Sequence, residues 1–151
     1  MIDLRPATIA DSDKLFAWRN DEMTCACSRS TAAIKREDHD RWMQFNVVNG
    51  YPAHLVLIAE SEYGSVGVVR FDGDKKDVLS YEASITLNPK FRGQGLAFPI
   101  LAEACSYLPK YTVLAEIREN NIPSRKIFER CGFTETGKRE GFVKYKRGPI
   151  S

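Results

Sequence analysis

The sequence predicts an α/β (α+β) fold: a mixed, mostly antiparallel sheet flanked by about four helices. Three observations carry this. Residues 53–87 form a succession of apolar and β-branched runs separated by short turns, which reads as neighbouring strands. Runs with helical spacing, such as Leu96 to Leu108, alternate with further strand-like runs in the second half. The chain has 151 residues, which suits a single domain over residues 1–151 with a core large enough to need no disulfides.

Taken in order, Ile2–Arg5 alternates like a short strand. Asp11-Ser12-Asp13 offers N-cap chemistry for a helix carrying Leu15, Phe16 and Trp18. Residues 21–35 are polar and read as irregular. Glu37–Val48 reads as a second helix with Trp42, Phe45 and Val48 on one side, closed by Asn49-Gly50. Ala53–Ala59 and Val66–Phe71 pair as a hairpin about Ser61-Glu62, and 72–76 form a turn. Val78–Leu87 is the next strand. Pro109 follows a helix ending near Leu108, and Tyr111–Ile117 is a buried strand. Pro123 sits near the first turn of the next helix, where proline is tolerated, and Gly132 ends it. Two strands from Phe133 to Lys146 turn at Glu140-Gly141.

The stretch Arg92-Gly93-Gln94-Gly95-Leu96-Ala97 lies between a strand and a helix. Glycines there permit unusual dihedrals, and the bare amides of a helix N-terminus attract anions. The loop lacks the Gly-Lys-Ser/Thr ending of a P-loop and the third glycine of a dinucleotide fingerprint. Pro99 strains a helix begun at Gly95, because its ring meets the carbonyl four residues back; a later helix start relieves this.

Arg92-x-x-Gly95-x-Ala97 resembles the acyl-CoA signature of the GNAT superfamily of N-acetyltransferases. Ile117–Phe133, with Asn121, Ser124 and Gly132-Phe133, resembles the strand, helix and Gly-Phe that follow in that family. Trp18-Arg19-Asn20-Asp21, with Ser28, Ile34, Glu37, His39 and Trp42, resembles a subgroup that acetylates nucleotide-linked amino sugars of the pseudaminic acid type. The chain departs from that subgroup at Glu22 and Cys25.

The resemblance implies a splayed sheet and an acetyl-CoA co-substrate, with direct attack by the amine in a ternary complex. Amides of Gly93, Gln94, Gly95, Leu96 and Ala97 would take the pyrophosphate, with Arg92 adding charge. Asn121 would bond the pantetheine amides and Ser124 would lie beside the cofactor arm; Asn121 is equally placed to cap its helix. The backbone N–H of Leu87, or a near neighbour, would polarise the thioester carbonyl, a contribution commonly worth ~3 kcal/mol. Glu82 is the candidate general base, with a solvated strand residue as the alternative; His39 is the second choice. The family's usual thiolate-protonating tyrosine is replaced here by Phe128, so Tyr81, Tyr107, Tyr145 or water must serve. Trp18, Arg19, Asn20, His39 and Trp42 are the acceptor-side candidates, and either tryptophan also suits a helix-packing core.

The expected partner is a small-molecule amine, preferably on a UDP-linked amino sugar; a polyamine, an antibiotic or a protein N-terminus is the alternative acceptor. A non-catalytic acyl-CoA binding module is the alternative of another class. The net charge of +2 gives no case for nucleic acid, although Lys138, Arg139, Lys144, Lys146 and Arg147 cluster near the C-terminus, as solvated faces or as attraction for an anion. The N-terminus lacks a signal-peptide pattern and no apolar run approaches a membrane span, so a cytoplasmic protein without membrane association is expected. Four cysteines fit reduced thiols, and Cys25-Ala-Cys27 with two distant histidines lacks zinc-ligand spacing, so no metal is expected. A monomer or a homodimer is consistent with this reading.

Overall fold

The computed structural model describes residues 2–150. Seven strands form one sheet in the order β1-β2-β3-β4-β5-β7-β6. The strands are β1 (Asp3–Pro6), β2 (His54–Ser61), β3 (Gly64–Gly73), β4 (Ser80–Leu87), β5 (Thr112–Arg118), β6 (Thr134–Arg139) and β7 (Phe142–Arg147). All neighbours are antiparallel except β4 and β5, which run parallel. Five α-helices flank the sheet: α1 (Ser12–Arg19), α2 (Glu22–Cys27), α3 (Arg36–Met43), α4 (Ala97–Cys105) and α5 (Ile122–Arg130).

The β4–β5 contact positions the site. Only Ser80↔Thr112, Tyr81↔Val113 and Glu82↔Leu114 are paired. Beyond them β4 stays with β3 as far as Leu87↔Gly67, while β5 stays with β7 as far as Arg118↔Phe142. The sheet therefore opens into a wedge between residues 83–87 and 115–118. Gly67 permits close packing beneath the end of β4: a Cβ there would lie 3.0 Å from the Thr86 carbonyl oxygen and 3.2 Å from the Leu87 side chain.

Strand alternation gives the sheet two apolar faces. Val69, Phe71, Tyr81, Ala83, Val113 and Ala115 pack with Ile100, Leu101 and Ala104 of α4 and with Phe128 of α5. On the other face Ile58 packs with Leu15 and Trp18 of α1 and Met43 of α3, a much smaller cluster.

Several expectations change. The fifth helix, α2, occupies part of the stretch read as irregular. Six residues cannot display helical periodicity; Asp21 caps them by accepting from the Thr24 amide at 3.2 Å, and Cys25 anchors them by burial. The helix read as Glu37–Val48 ends at Met43 and continues as a π turn over Gln44–Val48, with the Asn49 amide bonded to the Gln44 carbonyl. That wider turn rotates the register. Met43 faces inward, while Phe45 and Val48 are exposed. Gly50 is required by close approach rather than by a left-handed cap, since a Cβ would fall 1.9 Å from the Asn46 carbonyl oxygen.

Asp11 does not cap α1 through its side chain; it forms a capping box with Thr8 around a 3₁₀ turn at Ile9–Asp11. β4 begins at Ser80, leaving Val78 and Leu79 exposed. The Glu140-Gly141 turn has φ of 51° and 85°, as a tight two-residue hairpin requires.

Candidate active site

On the donor side, Gly93 and Gly95 adopt φ of +77° and +72°, and α4 starts at Ala97 after Leu96. Pro99 is thus the third helical residue, where no intrahelical N–H bond is due, and the anticipated strain is absent. Among the described residues the amides of 93–98 have no protein hydrogen-bond partner. A Cβ built at Gly93 or Gly95 would meet nothing within 4 Å, so these glycines serve the backbone conformation and an open approach. Consecutive unpartnered amides at a helix N-terminus suit a pyrophosphate.

Arg92 does not face that loop unpaired. Its guanidinium binds Asp21 and donates to Thr24 Oγ1 at 2.9 Å, tying the loop to the start of α2; the same pairing holds the Asp21 carboxyl below its usual range. Arg130 of α5 brings a second cation to this end of α4, standing 3.9 Å from the ring centre of Phe98 in the helix's first turn. The sequence reading missed it, because only the packing of α5 against α4 places it there. Asn121 caps α5, its Oδ1 accepting from the Ser124 amide at 3.4 Å.

In the wedge, the Asn88 amide donates to the Val66 carbonyl on β3. Alternation along a strand then directs the amides of Leu87 and Ile85 to the opposite edge, into the opening. Glu82 lies at the closed end, where Arg29 from the α2–α3 loop pairs with it and reaches Glu116 of β5 at 3.3 Å. The carboxylate read as a candidate base is thus engaged by a guanidinium. Arg118 fixes that loop by donating to the carbonyls of Ser28 and Arg29.

A cavity of about 430 Å³ lies on the face opposite α4, where most of the acceptor-side candidates stand. Trp18, Arg19, His39 and Trp42 line it, joined by Asp38, by Ser30 and Ala32 to Ile34 of the loop, and by Val68, Arg70, Ser84 and Thr86 of β3 and β4. Trp18 is also a core residue, 6% exposed against Leu15 and Met43. Asn20 does not line the cavity: its amide bonds both backbone groups of Ile34, at 2.9 and 2.7 Å, and so pins the loop. Arg19 donates to the Ser30 carbonyl at 3.1 Å and to Cys25 Sγ at 3.5 Å.

His39 is buried, its Nε2 3.1 Å from Ser12 Oγ and 2.9 Å from the Ser12 carbonyl, with its ring stacked on Trp42. Burial pushes its pKa down. These contacts make it a brace between α1 and α3 rather than an exposed base. Arg70, Ser84 and Thr86 were not singled out from the sequence. The alternation of β3 and β4 could have found them, since it places 68, 70 and 72 on one face beside 82, 84 and 86.

Phe128 is 2% exposed and packs edge-on against Phe133, so it belongs to the core. The tyrosines weighed in its place are committed elsewhere or remote. Tyr81 donates to the Pro52 carbonyl at 2.9 Å, beyond the closed end of the wedge. The Tyr145 hydroxyl accepts from Arg125 and donates to Glu129, and burial raises its pKa. Tyr107 follows α4 at the end remote from the phosphate loop. The basic C-terminal cluster is not one surface: Arg147 is buried and donates to the carbonyls of Cys105, the last residue of α4, and of Leu108 and Tyr111 in the loop beyond it, while Lys138 pairs with Glu119. Among the described residues no group of three or more His, Cys, Asp or Glu is arranged to hold a metal ion, and no helix is long and apolar enough to cross a membrane.

Comparison with known proteins agrees with this geometry. Residues 2–134 match the family described as Acetyltransferase (GNAT) domain. YwnH of Bacillus subtilis strain 168, provisionally named a phosphinothricin acetyltransferase, is 28% identical over 142 residues, covering 89% of this chain and 85% of that protein. A crystal structure provisionally described as a phosphinothricin N-acetyltransferase superposes with a TM-score of 0.83 over 100% of both chains at 24% identity. The spermidine N-acetyltransferase of Vibrio cholerae, solved with CoA and spermine, superposes with a TM-score of 0.81 at 15% identity, over 96% of this chain and 92% of that one. A family match over most of the chain, on a fold whose sheet opens between β4 and β5, establishes that the chain belongs to the GNAT family of acetyl-CoA-dependent N-acetyltransferases.

Proposed function

We propose that this enzyme acetylates the primary amine of a compact substrate that also carries an anionic group. The observation that carries this reading is the acceptor cavity. Its volume of about 430 Å³ suits a small molecule, its walls are largely aromatic and aliphatic, and its charged lining is two guanidiniums, Arg19 and Arg70, against one carboxylate, Asp38. A polycationic acceptor would meet a cationic surplus there. A UDP-linked amino sugar is the larger member of the same anionic class. Its sugar would occupy the cavity while its diphosphate extended to the rim, and Trp42 and Arg19 are the residues that favour it.

In this reading the loop amides of 93–97 hold the CoA pyrophosphate, Asn121 and Ser124 flank the pantetheine arm, and the Leu87 amide faces the thioester oxygen. The amine enters from the cavity, attacks the carbonyl carbon and releases the thiolate. Glu82 accepts the amine proton once Arg29 withdraws, and water protonates the thiolate, because the structure holds no free tyrosine hydroxyl at the position of Phe128. The test is thiol release from acetyl-CoA with phosphinothricin, L-glutamate, a UDP-linked 4-amino sugar, spermidine and kanamycin. The expected result is a kcat/KM for one of the three anionic amines at least about tenfold above that for spermidine or kanamycin, a difference of ~1.4 kcal/mol in transition-state binding. Preference for spermidine or kanamycin would overturn the anionic reading.

A further inference from the structure

We infer that Arg70 is the residue that selects the acceptor, by binding its anionic group, and that Asp72 and His54 hold Arg70 in place for that purpose. The inference rests on the anionic-acceptor reading above and assigns it to one side chain.

Both cavity guanidiniums are charged, but only Arg70 has both terminal nitrogens without a protein partner among the described residues. Arg19 uses its two terminal nitrogens on the Ser30 carbonyl and Cys25 Sγ, which makes it a strut for the loop. Arg70 is held by a single edge. Its Nε donates to Asp72 Oδ2 at 3.0 Å, and among the described residues neither terminal nitrogen has a partner. A guanidinium fixed at Nε presents a planar pair of N–H donors, which matches a carboxylate, phosphinate or phosphate.

The support behind Arg70 is built in series. His54 Nδ1 lies 2.9 Å from the other oxygen of Asp72, so that carboxylate is gripped from both sides. The three residues stand on adjacent strands, with His54 paired to Asp72 across β2 and β3. Trp42 forms a wall beside the guanidinium, 5.7 Å from its carbon. The guanidinium is therefore limited to a narrow range of directions, and at 39% side-chain exposure it is open on the cavity side.

Position relative to the chemistry agrees. Arg70 pairs with Ser84 on β4, and Ser84 and Thr86 carry hydroxyls without a protein partner among the described residues. The far edge of β4 bears the amides that face the wedge. With strands spaced ~4.8 Å apart, the anion and the reacting amine would lie roughly 10 Å apart or less, the span of one small molecule. Asp72 sits directly across from Glu82 in the sheet. The two carboxylates are kept from repelling by separate cations, Arg70 for the first and Arg29 for the second.

The experiment measures the ratio of kcat/KM for the fastest of phosphinothricin, L-glutamate and the UDP-linked 4-amino sugar to that for spermidine, in wild type, Arg70→Gln, Arg70→Lys and Asp72→Asn. Arg70→Gln should lower the ratio at least tenfold through KM of the anionic amine, leaving acetyl-CoA affinity by calorimetry within twofold. Arg70→Lys retains the charge without the fork, and should lie between wild type and Arg70→Gln. Asp72→Asn, which loosens a positioning residue, should raise KM for the anionic amine more than it lowers kcat. If wild type prefers spermidine, the reading of the acceptor class fails and this inference with it. If wild type prefers the anionic amine and all three variants keep the same ratio, the class stands and Arg70 is not its selector. Should Arg70→Gln fail to fold, the Arg70→Lys ratio decides alone, and an unchanged ratio overturns the assignment.

Discussion

The two halves of the candidate site, donor and acceptor in the proposed reading, are built from different materials. The donor half is backbone: consecutive amides, two left-handed glycines and a helix N-terminus, all within residues 92–98. The acceptor half is side chain, drawn from α1, α3, the α2–α3 loop, β3 and β4. A binding site made of backbone depends on conformation, so few residue types allow it. One made of side chains on a fixed scaffold can change its ligand by changing one group. The fold itself is shared with enzymes named for different amines.

The contrast can be tested at three points. The largest expected effect lies at the seam between the halves. Glu82→Gln should lower kcat by roughly 100-fold, within the range for loss of a general base, while leaving the acetyl-CoA dissociation constant unchanged. An equal kcat in the variant would remove Glu82 from the mechanism and make its pairing with Arg29 structural.

Next comes the acid stability of the acceptor wall. The Arg5 guanidinium bonded to Asp11 is the main cause that holds its carboxyl down at about 2, and this network anchors the start of α1. Because the folded-state value is depressed from 3.8, the stabilisation is fully present above pH 4 and is lost as pH falls through about 2. Asp11→Asn should cost about 2 kcal/mol at neutral pH and flatten the acid limb of the stability curve between pH 4 and 2, read by urea unfolding across pH. A variant with an unchanged acid limb would place the acid-labile group elsewhere.

The smallest effect concerns the donor half. Gly95→Val forces a β-branched residue into a left-handed conformation, a strain of roughly 1–3 kcal/mol. Acetyl-CoA affinity by calorimetry should fall about tenfold or more, with acceptor KM unaltered. Undiminished affinity would separate the loop from donor binding.

The same contrast governs what could be read from the sequence. The left-handed conformation of the loop before α4 was legible because it is local and its glycines are visible in order. Most strands were legible from alternation, and Gly132, at φ 91°, ends α5 as its position after Cys131 suggested. The α2 helix was not, since its six residues are held by Arg92 and by burial of Cys25, both tertiary effects. Phe45 and Val48 were grouped with Trp42 on one face, but a single π turn shifts every later residue and leaves both exposed. Arg70 and Asp72 escaped notice for a related reason: 72 was read as the start of a turn, whereas β3 continues to Gly73 and carries both onto the cavity face. Asn20 and Arg92 stand at motif positions, but the fold uses both to pin neighbouring segments.

The wedge between β4 and β5 bears on solubility. An unpaired strand edge is the common starting point for association between chains, because it offers a row of open donors and acceptors to any extended segment. Here such an edge lies inside the sheet rather than at its border. β5 closes it at Glu82↔Leu114, and Arg29 crosses from Glu82 to Glu116 above it. The run left open on β4 is residues 83–87, held to β3 on one side and bridged by Arg29 at its closed end. In the proposed reading, the backbone offered to the co-substrate lies within the sheet and not at its border.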